Sequence, residues 1–340
     1  MGFAKYYMRV VSGMSFKKFN TILERAHKAS GRSKLWLTKD IIHCGLKFGG
    51  GYNDYMAFGW WDLNDEQRST YVTRVVSKKL VTLLNDESQS HFFDDKEQFY
   101  TLFHDYIGRE FLNFRTAKKE EVRAFVERHP VIFQKPAHGS CGRGCSRFDS
   151  REFESFDAFY DELKAQDAWL IEEVLRQHPD QEAVYPNAMN CMRLITLVDS
   201  QNGEPHVIYA TQKFGLNGRV VDNYGFGCRV DLETGVVCSP GVSGDATEAV
   251  VYTEHPLTHM PIPGHKIPMF HEACEMVKRA ALVVPGMRYI GWDVGITPDG
   301  PAIVEGNNYC AHDFWQLPAQ TPEKTGMLPV FEKYVPEFHR

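Results

Sequence analysis

Apolar positions recur every three or four residues through much of the first third of the chain. Phe16 to Ala29 and Thr70 to Leu84 carry this spacing, which predicts two helices. Between them lies an aromatic connector, Phe48-Gly-Gly-Gly-Tyr-Asn-Asp-Tyr-Met-Ala-Phe-Gly-Trp-Trp. Its triple glycine lacks the Gly-Lys-Ser/Thr that completes a phosphate loop, so it reads as a flexible turn. Another helix is expected near Asp94, with Glu97 three positions on as in a capping box, and Phe99, Leu102, Phe103 and Tyr106 as its apolar stripe before Gly108. Lys118 to Arg128 reads as the next helix, stopped before Pro130.

From Val131 the pattern shifts to short strand-like runs. Val131-Ile-Phe-Gln134 reads as a strand, Lys135-Pro-Ala-His-Gly-Ser-Cys-Gly-Arg-Gly144 as a glycine-rich loop, and Ser155 to Lys164 as a helix. Ala168-Trp-Leu-Ile-Glu-Glu173 is a strand ending in two acids. Asn190 to Asp199 and Glu204 to Thr211 form a hairpin around Gln201-Asn-Gly203, because an Asn-Gly pair favours a tight turn. Short strands around Asp231-Leu-Glu-Thr-Gly235 and a helix from Phe270 to Val283 precede a last hairpin, which turns at Thr297-Pro-Asp-Gly300. This mixture of sheet and helix predicts an α+β enzyme fold rather than a repeat or a bundle.

Composition narrows the class. The chain has 340 residues, enough for two or three lobes around a cleft. Its 43% hydrophobic content, with 23 Phe, 15 Tyr and 6 Trp, argues against long disorder. A net charge of −6 argues against indiscriminate nucleic-acid binding. Residues 1 to 40 are the exception, with nine Lys or Arg against Glu24 and Asp40. A solvated helical face is the favoured reading of that segment; contact with a membrane surface or a polyanion is the alternative. Lys5, Arg9, Lys17 and Lys18 interrupt any signal-like apolar run, and nothing approaches 18 consecutive apolar residues, so a soluble cytoplasmic protein is expected. The eight cysteines lack the density of a disulfide scaffold and the spacing of a zinc site, which leaves reduced, mostly buried thiols.

Chemistry concentrates in the last hairpin. Asp293 lies on its first strand, with Glu305 and Asn307 two apart on the return strand. Hard cations take oxygen ligands, and the strand period of two puts alternate residues on one face, so this set suits Mg²⁺ held against phosphate oxygens. An even number of loop residues would set Asp293 opposite Val304 and turn Glu305 to the other face. The metal reading therefore requires an odd loop or a bulge. Upstream, Lys135 places a cation at a strand end, and Gly139, Gly142 and Gly144 let backbone N–H groups approach oxygen anions.

Together these features resemble the ATP-grasp superfamily, and more closely its sugar-transfer-associated branch. The resemblance runs from about Asp94 to Tyr334 through Asp95-Lys96, Phe133-Gln-Lys135-Pro, the 139–144 loop, Leu170-Ile-Glu-Glu173, Asn190-Cys-Met-Arg-Leu-Ile-Thr196 and Gly291-Trp-Asp293 with Gly300-Pro-Ala-Ile-Val-Glu305-Gly-Asn307. It implies two α+β subdomains enclosing the nucleotide: a glycine-rich-loop lobe with the nucleotide hinge over 91–185 and a C-terminal lobe with the Mg²⁺ site over 186–340, after a mainly helical region, 1–90. The resemblance also implies residue roles. Lys96 and Lys135, the loop residues Gly139, Ser140, Gly142, Arg143 and Gly144, and the hinge acids Glu172 and Glu173 would bind ATP. Asp293, Glu305 and Asn307 would hold Mg²⁺, and Arg193, Lys213 and Arg288 would face the triphosphate or an acyl phosphate. Arg143 departs from the usual loop pattern, and Phe226 and Cys228 depart from the usual small residues of the Asp222 to Cys228 acceptor-side stretch.

The implied activity is carboxylate–amine ligation through an acyl phosphate, joining an amino acid or amine to a sugar acid in polysaccharide or envelope synthesis, with peripheral association with that machinery. The alternatives are a ligase tailoring peptides or small metabolites, a phosphotransferase, and a non-catalytic nucleotide-binding protein.

Overall fold

Ser15 and Ser33 open the first two helices of the computed structural model, Phe16–Ser30 and Lys34–Phe48, each accepting a backbone N–H of the first turn. Gly31 and Gly49 close them in the left-handed region. The structure describes residues 15–136, 144–220, 222, 225–243 and 246–339. Lys34–Phe48 is a helix that the sequence pattern does not single out. Its inner stripe, Leu37, Ile41, Cys44 and Phe48, is buried, but Leu35, Ile42 and Leu46 are exposed apolar residues on the opposite side. Apolar residues on both faces erase the one-sided period.

The triple glycine is a packed corner rather than a loose turn. Gly51 precedes a short helix, Tyr52–Ala57. A Cβ on Gly50 would lie 2.3 Å from the ring of Trp60, a side chain with no exposed surface. Gly50→Ala is expected to cost about 1–3 kcal/mol through overpacking, measured as a lowered thermal midpoint with unchanged ligand binding.

Two further helix starts differ from expectation. The helix expected from Thr70 is Arg74–Leu84, because Thr70 caps a separate short helix, Asp65–Ser69. Downstream, Asp95 rather than Asp94 caps Lys96–Leu102, accepting from the backbone N–H groups of Glu97 and Gln98. Phe103 interrupts the run before His104–Ile107, which Gly108 ends at φ 60°.

Eleven named strands follow among the described residues. β1 (Phe111–Asn113), β2 (Val131–Pro136), β3 (Ser146–Asp149) and β4 (Ala168–Glu173) form a four-stranded sheet in the order β1-β4-β2-β3. β5 (Met192–Val198), β6 (Pro205–Phe214), β7 (Phe226–Arg229), β8 (Gly241–Ser243), β9 (Val250–Tyr252), β10 (Tyr289–Thr297) and β11 (Gly300–Asn307) form a second sheet in the order β11-β10-β5-β6-β7-β8-β9. The pairings β1–β4, β4–β2, β2–β3, β11–β10, β10–β5, β5–β6, β6–β7 and β7–β8 are antiparallel.

Each sheet buries a face against helices. Val122, Phe125 and Val126 of the helix Lys119–Arg128 and Phe159 and Leu163 of Phe156–Ala165 pack with Ile132 and Ile171 of the smaller sheet. The helix Phe270–Ala280 sets Phe270, Ala273, Val277 and Ala280 against the larger sheet, a 3–4 spacing that keeps one stripe inward. By compactness the chain divides into two units. One holds the described residues up to Leu80, the stretch ending at Val250, and the chain from Ala311; the other holds Val81–Ser243 and Val251–Cys310, which include both cores just described.

Candidate active site

The β10–β11 hairpin contains the bulge that the Mg²⁺ reading requires. Thr297 pairs with Gly300 and Val294 with Ile303, then the register shifts and Asp293 pairs with Glu305. Val304 is the additional residue. The register places the two carboxylates opposite one another, and Asn307, paired with Gly291, lies two residues beyond Glu305. Its amide donates to Glu305 Oε1 at 3.4 Å.

Asp293 is 2% exposed and closely held by cations. Its β5 neighbour Arg193 donates from Nε to Oδ1 at 2.5 Å and from Nη2 to Oδ2 at 2.8 Å. Lys213 Nζ lies 3.2 Å from Oδ2 and 3.4 Å from Oδ1 of Asp222. Burial alone would raise the Asp293 carboxyl, but the guanidinium and the ammonium outweigh it and hold the group well below the usual carboxylate range. Glu305 moves the other way. Desolvation raises its carboxyl, Asp293 raises it further, and Lys213 and Arg193 offset only part of this. Two opposed carboxylates with one left unneutralised form a set that a divalent cation fits. Among the described residues, no group of three His, Cys, Asp or Glu side chains could hold a metal. Two acids and an amide would leave Mg²⁺ to complete its shell from phosphate oxygens and water, as that ion prefers.

A second charge cluster lies on the smaller sheet. Lys135 of β2 and Glu172 of β4 are both buried, with Nζ 2.9 Å from Oε1. Arg109 Nε reaches Oε2 of the same carboxylate at 3.0 Å. The Tyr100 hydroxyl donates to Glu172, and it accepts from Lys135 at 2.6 Å and from Arg109. Burial by itself would raise the Glu172 carboxyl; Arg109 and Lys135 reverse that and bring it to about 2. Lys135 is displaced upward, since Glu172 and Tyr100 outweigh its own desolvation.

Glu172 is depressed from an ordinary 4.5, so its contribution is fully present above about pH 4.5 and is lost as pH falls towards 2. Denaturation at pH 5.5 and 3.5 is expected to show a steeper loss for the wild type than for Glu172→Gln, whose acid limb flattens.

Both clusters border one cavity of about 870 Å³, whose wall includes Lys96, Lys135, Glu173, Arg193, Asp293 and Glu305. Glu172 and Asn307 also border it. Successive residues of β4 point to opposite faces, so the two hinge acids part: Glu172 is committed to Arg109 and Lys135, whereas Glu173 is partly exposed and accepts the backbone N–H of Glu110. Of the pair, Glu173 has surface to offer a ribose. Lys213 lies outside the wall residues and touches Asp293 from within the structure.

Arg288 is set apart from the other proposed site residues. It precedes β10 at the end remote from Asp293, donates to the Val198 carbonyl at 3.3 Å and lies outside the cavity wall. Gly144 adopts φ 75°, and its carbonyl accepts from Gln134 at 2.7 Å. Gly139, Ser140, Gly142 and Arg143 lie outside the described residues. Sequence reasoning missed Tyr100 and Arg109, and it gave no individual role to Asp222, which accepts the Cys191 N–H at 2.9 Å and pairs with Lys213. No local motif marks Arg109; only the adjacent Gly108 signals a helix end there.

The sequence profile described as sugar-transfer associated ATP-grasp matches residues 75–332. No curated protein matches. Among solved structures, the chain is similar to the ATP-grasp ligase PsnB complexed with its minimal precursor, at 17% identity and a TM-score of 0.45, over 80% of this chain and 71% of that one. It is also similar to PsnB complexed with precursor peptide PsnA2 and AMPPNP, at 14% identity and a TM-score of 0.44, over 82% and 73% of the respective chains. A third is the D-alanine-D-alanine ligase from Coxiella burnetii, at 12% identity and a TM-score of 0.38, over 68% of this chain and 54% of that one.

Proposed function

The chain belongs to the sugar-transfer-associated ATP-grasp family, an ATP-dependent ligase fold, and on that premise we propose that it joins a carboxylate to an amine at the expense of ATP, through an acyl phosphate. The observation that carries the reading is the bulged hairpin, which opposes Asp293 to Glu305 on the wall of the same cavity that Lys135 lines.

In this reading a carboxylate oxygen of the substrate attacks the γ-phosphorus of ATP, and the bond to the bridging oxygen breaks to release ADP. The amine then attacks the acyl carbon, phosphate leaves, and the amine gives up a proton. Asp293, Glu305 and Asn307 would hold Mg²⁺, which when bound supplies charge neutralisation at the transferring phosphoryl oxygens. Lys135 and Lys96 neutralise nucleotide phosphates, and Glu173 takes the ribose hydroxyls. Arg193 holds Asp293 ionised and oriented, and Lys213 does the same from the side of Asp222. Alignment and preorganised charge carry most of the rate in such chemistry, so no nucleophilic Cys or Ser is required.

We take a peptide or small-metabolite carboxylate as the working donor class, with sugar acids and an envelope setting as a narrower case. Among the described residues, no helix is long and apolar enough to cross a membrane. The test is a coupled ADP-release assay with Mg-ATP over crossed carboxylate and amine pools, with peptides, amino acids and uronic acids in separate arms and Glu305→Ala as control. ADP formation that needs both pools and disappears in the control supports a ligase. Turnover without an amine makes the protein a phosphotransferase, and ATP binding with no turnover across the panel makes it a binding protein.

A further inference from the structure

Arg109 belongs to the Glu172 cluster and also holds the backbone of the hairpin strand that carries Glu305. Its side chain is 1% exposed. Besides the Glu172 carboxylate and the Tyr100 hydroxyl, its Nη1 donates at 2.9 Å to the carbonyls of Ile107 and Ile303. Ile303 belongs to β11, the outermost strand on its side of the larger sheet, and lies next to the bulged Val304 and two residues before Glu305. An edge strand leaves alternate carbonyls without a ladder partner, and such a group needs another donor when buried. The backbone is shaped to deliver this one. Gly108 turns at φ 60°, and a Cβ there would meet the Cβ of Ala302 at 3.0 Å, so the segment lies directly against β11. Guanidinium suits the position because its rigid fork reaches four acceptors at once, which an ammonium cannot.

We propose that Arg109 is a positioning residue that couples the nucleotide lysine to the metal hairpin, by tying Lys135, Tyr100 and Glu172 of one lobe to the β11 bulge that aims Glu305 in the other. The inference rests on the ligase reading for the identity of the two ligands. When a nucleotide phosphate draws Lys135 away from Glu172, Arg109 and Tyr100 are the groups left to rebalance that carboxylate. The same guanidinium holds the Ile303 carbonyl, so the adjustment reaches the bulge. Nucleotide and divalent cation should then tighten one another's binding through Arg109, as reciprocal coupling requires.

The experiment is calorimetric titration of ADP into the full chain, with and without Mg²⁺, for the wild type, Arg109→Lys and Tyr100→Phe. The readout is the factor by which Mg²⁺ tightens ADP binding. Arg109→Lys keeps the charge and loses the fork, and is expected to reduce that factor about tenfold, an effect of ordinary allosteric size. Tyr100→Phe keeps the ring and removes the hydroxyl shared by Lys135 and Arg109, and is expected to reduce the factor in the same direction. Thermal melts report folding separately. If Arg109→Lys fails to fold, Tyr100→Phe decides. A folded variant with lowered thermal stability and a wild-type Mg²⁺ factor would make Arg109 structural and overturn the inference alone. A wild type that binds no ADP overturns the ligase reading and this inference together.

Discussion

Replacing Glu305 with Gln is expected to lower ADP release at saturating Mg-ATP by about 10³-fold, ~4 kcal/mol of transition-state stabilisation, while leaving the thermal midpoint at or slightly above that of the wild type. The two effects diverge because of what faces the side chain. Glu305 opposes Asp293 across the bulge, and desolvation and that neighbour raise its carboxyl. An amide of the same shape removes the repulsion, so the fold loses nothing electrostatic and gains some relief. In the proposed metal set, function would lose the anionic oxygen that the bulge places opposite Asp293. Sites of this kind commonly hold local strain or repulsion that the rest of the structure tolerates. Steady-state ADP release and a thermal melt on the same preparation check the prediction. Full activity in Glu305→Gln would remove the carboxylate from the metal set, and a large fall in thermal midpoint would show that Glu305 acts structurally.

The hairpin was legible because its information is local. Turn chemistry at 297–300 locates the reversal, and counting residues back along both strands shows that Asp293 and Glu305 face one another only if the ladder gains a residue. The structure supplies that residue at Val304. The place of Lys135 at the end of β2 was legible for a similar reason, since there a strand runs into a glycine-rich stretch. Arg109 was not. Its partners are Glu172, 63 residues away, and Ile303, 194 residues away, so its role exists only once both sheets have formed. Arg288 is the converse case. A basic residue just before a strand that carries a site acid looks close to that acid in sequence, but five residues of extended chain span roughly 17 Å. Glu172 and Glu173 are adjacent in sequence, and strand alternation sends one to the ion cluster and leaves the other partly exposed at the cavity.

Arg193→Met is expected to cost about 3 kcal/mol or more of stability, and the cost should exceed any direct contribution of the ion pair. Asp293 is buried, with 3% of its side chain exposed, and Arg193 is partly buried, at 22%. Bringing two charges out of water is itself unfavourable, so their bidentate contact mainly offsets a penalty already incurred. Removing the guanidinium leaves the carboxylate with Lys213, which Asp222 shares. The double variant Arg193→Met/Asp293→Leu removes both charges and is expected to regain most of the lost stability, because the strands β5 and β10 then meet through apolar side chains of similar volume. If Asp293 holds Mg²⁺ as proposed, binding of Mg²⁺ with ADP is expected to be abolished in the double variant, because Asp293 is the most buried member of the proposed set. Denaturation of the two single variants and the double variant gives the coupling energy directly. A double variant no more stable than Arg193→Met alone would show that the arginine contributes through its aliphatic packing. Recovery of stability with no recovery of metal binding would instead mean that this buried pair is kept for the ion it positions, at some cost to the fold that holds it.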